Sequence, residues 1–82
     1  MFFYTYAIFS EAKNCIYVGQ TNSLARRFKE HNGINNFNTW TKRHHKWMLL
    51  HFEIFQTRKE SMAREKQLKS GQGRAFLRSL LT

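Results

Sequence analysis

"CIYVGQTNSLARRFKEHNG", Cys15 to Gly33, is the stretch whose reading decides the fold. Its first residues are rich in β-branched and aromatic side chains, and Gly19 ends the run. "QTNS" (20–23) then supplies capping side chains for a helix from Ser23 to His31 that stops at Asn32-Gly33. A strand thus turns directly into a helix. At 100° per residue, with Leu24 at zero, Phe28 falls at about +40°, His31 at about −20° and Arg27 at about −60°. Arg27 and His31 therefore share a side with the two apolar anchors, whereas Arg26, Lys29 and Glu30 point away. A charged arginine on an inward flank is costly unless it meets an anion or an acceptor. The pair is either a satisfied helix flank or part of a site.

Upstream, "FFYTYAIF" (2–9) is a strand with apolar groups on both faces, which places it centrally in a sheet. "SEAKN" (10–14) is a polar turn, so residues 2–9 and 15–19 form a hairpin. Period two puts Tyr4 with Tyr6 on one face and Tyr17 with Gly19 on one face, and the hairpin brings Tyr6 near Tyr17. Cross-strand packing accounts for Tyr4. Gly19 either releases the chain from the sheet or leaves room for a close approach.

Downstream, the Asn-, Thr- and basic-rich residues 33–46 read as a loop, and "WMLLHFEIF" (47–55) as a third strand. A helix over 57–69 starts with a capping box, Thr57 and Glu60. "SGQG" breaks it, and a last helix over 74–81 turns Phe76, Leu77, Leu80 and Leu81 inward. The order ββαβαα describes a single α/β domain over residues 1–82, a small, largely antiparallel three-stranded sheet flanked by helices.

The helix 57–69 poses the question a second time. With Met62 at zero, Leu68 lies at about −120°, Ser61 at about −100° and Glu65 at about −60°, in the middle of the stripe expected to face the core. An i,i+4 pair with Lys69, worth about 0.2–0.5 kcal/mol, is the packing explanation. Carboxylates are scarce: Glu11, Glu30, Glu53, Glu60 and Glu65 are all there are, with no aspartate.

Charge narrows the partners. Fourteen Lys and Arg against five acids leave +9 in 82 residues. Lys13 and Glu11 cancel in residues 1–25, so the excess lies from Arg26 onward. Such a field favours phosphate polymers. No separate basic amphipathic helix argues for an anionic membrane, and no apolar run is long enough to span a bilayer. The N-terminus lacks a basic lead-in and a small-residue cleavage site, so a cytoplasmic protein is expected. Lone Cys15 forms no internal bridge and reads as a small buried hydrophobe. The histidines lack the spacing of a zinc site, His44 and His45 being adjacent.

These residues together resemble a GIY-YIG nuclease domain, similar to the catalytic domain of the bacterial excinuclease C subunit and to small stand-alone relatives. The first motif is represented by "YTY" with Tyr6, and the second by "YVG" at Tyr17, Val18 and Gly19. "T-x5-R-x3-H" follows at Thr21, Arg27 and His31, and "AREKQLK" sets Glu65 at the family's metal-binding glutamate. The resemblance covers nearly the whole chain. The first motif lacks its glycine and isoleucine, and "GQGR" (71–74) stands where many members carry an asparagine.

The resemblance implies metal-dependent hydrolysis of DNA phosphodiesters, in repair or recombination, with RNA not excluded. Glu65 would hold one divalent ion, Mg²⁺ or else Mn²⁺, and Arg27 would neutralise the phosphate. Tyr6, Tyr17 and His31 are candidates for activating water, Tyr17 first among them. Gly19, Thr21, Lys42, Arg43, Lys46, Lys66, Lys69 and Arg74 would line the nucleic-acid path. Trp40 and His44 in the loop 34–46 contact bases or are simply solvated. A protein partner would supply specificity. The competing reading is a weakly active or inactive nucleic-acid-binding module of the same fold.

Overall fold

The computed structural model describes residues 1–31 and 47–81, with His31 by its backbone alone. Among the described residues, three strands and three helices follow in the order β1 (Phe3–Ser10), β2 (Cys15–Thr21), α1 (Leu24–His31), β3 (Trp47–Phe55), α2 (Arg58–Leu68) and α3 (Gly71–Ser79). The sheet order is β2-β1-β3 and both pairings are antiparallel, so the strand with apolar groups on both faces is indeed central. Residues 11–14 close the hairpin. The Asn14 N–H donates to the Glu11 carbonyl at 3.2 Å, and Asn14 adopts φ 51, a left-handed conformation that asparagine tolerates better than most residues.

Alternation along β1 sends its residues into two cores. Tyr6 and Ile8 pack with Trp47, Tyr17, Cys15 and the α1 residues Leu24 and Phe28. Ala7 packs with Val18, Leu68 of α2 and Leu77 of α3. The helices thus cover opposite faces, α1 on one and α2 with α3 on the other. A bulge between Ala7 and Ile8 pairs them with His51 and Leu49, which leaves Leu50 over to pack against the second core.

Local signals set the helix boundaries. The Thr57 hydroxyl accepts from the Glu60 N–H at 3.2 Å and donates to the Glu60 carboxylate at 2.9 Å, a variant of the expected capping box. The last helix begins at Gly71, earlier than its glycines suggest, because Ser70 caps it by accepting from the Gly73 N–H at 3.3 Å. Gly73 also permits the tight α2–α3 corner, since a Cβ there would collide with the Gln67 carbonyl and the Leu68 backbone.

Several orientations differ from expectation. In α3 only Leu77 is buried, while Phe76 and Leu80 are exposed and Leu81 is half-buried. The helix packs on one arc narrower than its apolar residues would fill. In α2, Met62 is exposed and the buried positions are Ser61 and Leu68. The small Ser61 faces the sheet, and its carbonyl accepts from the Thr5 hydroxyl at 2.6 Å. That rotation moves Glu65 from the middle of the buried stripe to its border. Cys15 is half-buried rather than buried, as befits the first residue of an edge strand.

Candidate active site

The site is built around one phenol. Tyr6 is 1 % exposed and sits directly opposite Gly19 in the β1–β2 register. A Cβ on Gly19 would stand 2.7 Å from the Tyr6 hydroxyl oxygen and 2.9 Å from its Cζ. The room left by Gly19 is therefore taken by Tyr6. The ring of Tyr17 lies 6.4 Å away, tilted by 39°, and leans in turn on Trp47 at 6.4 Å. Tyr4 packs against Phe52 at 6.5 Å, away from this centre.

Two charged groups act on the Tyr6 hydroxyl from opposite layers. From α1, Arg27 hydrogen-bonds to it; from α2, the Glu65 carboxylate is close enough for its field to oppose ionisation. Opposite Tyr6 on the edge strand β2, Gly19 has no side chain. Burial above all raises the Tyr6 pKa from its ordinary 10.0, and the nearby Tyr17 and Glu65 add to this against the opposing pull of Arg27. Tyr6 therefore keeps its proton at neutral pH. Arginine has only donors, so the phenol oxygen accepts from Arg27.

Burial works against the charge on Arg27, but its bonds to Tyr6 and Glu30 and the proximity of Tyr17 outweigh it and raise its pKa. The guanidinium stays charged. Its Nη1 meets the Glu30 carboxylate at 3.3 Å. Glu30 is 8 % exposed, contrary to the outward direction expected of it. The buried arc of α1 extends past Arg27 as far as Glu30, and the ion pair offsets the desolvation of both charges. The i,i+3 spacing of Arg27 and Glu30 was the sequence signal for it.

Glu65 accepts from the Lys69 ammonium through Oε2 at 2.9 Å, the pairing that i,i+4 spacing allows. Its other oxygen makes no hydrogen bond among the described residues. No group of three His, Cys, Asp or Glu stands ready to ligate a metal among the described residues. A hard cation held by one carboxylate and waters remains compatible with this donor set, as Mg²⁺ commonly keeps several waters.

Thr21 is buried, and its hydroxyl accepts from the Ser23 N–H at 3.1 Å, shaping the turn into α1. Arg74 is exposed on α3. Lys66 is exposed on α2. The His31 side chain, Lys42, Arg43, Lys46, Trp40 and His44 lie outside the described residues, as does the loop expected over 33–46.

A second polar cluster, unforeseen from the sequence, occupies the α2 side. The Arg64 Nε reaches both Glu53 oxygens at 3.0 Å, and the His51 Nε2 lies 2.8 Å from Glu53. Burial works to raise the Glu53 pKa, but the bonds from His51 and Arg64 prevail and hold it below 4.5. The cluster ties β3 to α2.

Comparison with known proteins bears on the family and the fold. A family model described as the GIY-YIG catalytic domain matches residues 2–76. A UPF0213 protein from Bacillus halodurans, solved by solution NMR, is similar in structure with a TM-score of 0.57 and 26% sequence identity, over 98% of this chain and 85% of that one. A search of curated proteins finds no match.

Proposed function

This chain belongs to the GIY-YIG catalytic domain family, a family of endonucleases, and on that premise we propose that it is a metal-dependent endonuclease hydrolysing DNA phosphodiester bonds in repair or recombination. One observation carries the reading: Arg27 and Glu65, from helices on opposite faces of the sheet, both act on the buried Tyr6 hydroxyl. Packing alone gives no reason for that convergence.

Each residue then has a task. Arg27 presents a charged, oriented guanidinium to the phosphate, where it neutralises charge that grows in the transition state. Tyr6 fixes Arg27 in place by accepting from its guanidinium. Because Tyr6 holds its proton, activation of water falls to Tyr17 or His31, with Tyr17 preferred for its place beside Tyr6. Glu65 would hold Mg²⁺ or Mn²⁺ with waters, with Lys69 sharing the carboxylate. The bound ion would supply Lewis acidity and steady the leaving oxygen.

A second reading has an observation of its own. Arg27 and Glu65 are already paired, with Glu30 and Lys69, a resting arrangement that suits a nucleic-acid-binding module with little cutting. Nicking of supercoiled plasmid and of branched DNA with Mg²⁺ or Mn²⁺ decides between them. Glu65→Gln and Arg27→Met should each slow nicking by about 10²–10³-fold. Undiminished rates in both variants sink the site. Tight binding without cutting selects the module, and cutting of RNA alone moves the substrate.

A further inference from the structure

A cleft of about 430 Å³ opens between the β2 edge and α3, within the roughly 300–1,000 Å³ range of small-ligand sites. Among the described residues, three cations line it, Lys69, Arg74 and Arg78, and no carboxylate does. Its apolar wall comes from Ile16, Tyr17 and Val18 of β2.

Folding alone does not require this gathering of charge. Arg74 and Arg78 are one turn apart on α3, a spacing at which like charges repel. Arg78 is nevertheless held in place: its Nη1 donates to the Asn14 Oδ1 at 2.7 Å and its Nη2 to the Asn14 carbonyl at 2.9 Å. Both acceptors are neutral, so the guanidinium is oriented without being neutralised. The Arg74 guanidinium makes no hydrogen bond or ion pair among the described residues. Lys69 reaches the cleft from the other end while bonded to Glu65. Tyr17 belongs both to this cleft and to the wall of the Tyr6 centre.

We infer that the cleft is a nucleotide subsite that continues the active site: Lys69, Arg74 and Arg78 take the phosphate next to the scissile one, and Tyr17 with Ile16 takes the sugar and base. The inference rests on the endonuclease reading, and it gives the substrate strand a direction, out along β2 toward the Asn14 turn. Arg78, absent from the residues expected to bind nucleic acid, becomes a binding residue, and Asn14 its positioning partner. An apolar wall facing fixed cations suits a nucleotide unit, which offers an anion and a flat ring together.

The test is binding, measured without metal so that turnover plays no part. Fluorescence anisotropy with a labelled DNA duplex, and with its single strand, is followed over a salt series. Arg74→Gln should lower the slope of log affinity against log salt by about one, and Arg74→Gln/Arg78→Gln by about two, with about tenfold weaker binding. Arg74→Gln should melt like the wild type, which separates its effect from any loosening of the Asn14 turn. Lys29→Gln/Lys59→Gln removes equal charge elsewhere and should leave the slope nearly unchanged. Equal slopes for wild type and Arg74→Gln overturn the subsite while leaving the endonuclease reading intact, and so does an equal loss in the lysine control. A wild type that binds neither probe overturns both.

Discussion

Tyr6 and Ala7 are neighbours in the chain, both buried, and they face opposite layers of the molecule. On the Ala7 side the core is small and aliphatic: Ala7, Val18, Leu68 and Leu77. Close approach is its device, through the Thr5 bond to the Ser61 carbonyl and the bare Gly73 at the helix corner. On the Tyr6 side the core is aromatic and admits charge, with Arg27 and Glu30 drawn in around a phenol. Well-packed hydrophobic residues would fill that space at no greater cost in stability. The retained polar network suits the proposed chemistry: the Tyr6 side supplies the groups set around the phenol, while the Ala7 side holds the fold with its core and lends Glu65 and the cleft cations from the outer borders of α2 and α3.

Leu77→Ala strikes the holding face and should have the largest effect on stability, about 2–5 kcal/mol in chemical denaturation. Folded protein at low temperature should still bind DNA like the wild type; a matching loss of binding there would erase the division between the faces. Next comes Gly19→Ala, which drives a methyl against Tyr6 and should cost about 1–3 kcal/mol by overpacking. Combining it with Tyr6→Phe sharpens the point. That change deletes the 2.7 Å contact but leaves Cζ at 2.9 Å, so the cost should shrink without vanishing. Costs that simply add would show that Tyr6 is not what Gly19 accommodates.

The smallest effect belongs to Glu53. Its folded pKa lies below 4.5, so its ionised form stabilises the native state. That contribution is fully present above about pH 5 and disappears as the pH falls through the folded value. The unfolding free energies of wild type and Glu53→Gln should therefore differ by less than about 1 kcal/mol at neutral pH and converge in acid. A difference that grew as the pH fell would contradict the His51–Glu53–Arg64 arrangement.

Much of this was legible along the chain. The central strand, the hairpin, the Thr57 cap and the placement of Tyr17 opposite the first strand all follow from periodicity and turn chemistry. Arg27 stood out because a helix wheel sets it beside Leu24 and Phe28. Glu30 was misread because the same wheel treats a carboxylate as outward unless its partner is known. Met62 was misread because apolar character was weighed above size, whereas the helix turned its smallest polar residue to the sheet.

Local order alone determined the element types, their sequence and the alternation that gives β1 two unlike faces, because those depend on side-chain period and on caps a few residues away. Tertiary structure decided that a guanidinium and a carboxylate from opposite layers act on one hydroxyl, that Gly19 makes room for Tyr6, and that Asn14 holds Arg78 across 64 positions. Such meetings depend on how helices rotate and pack once formed, and that rotation is settled by residue volume and contact between segments distant in the chain.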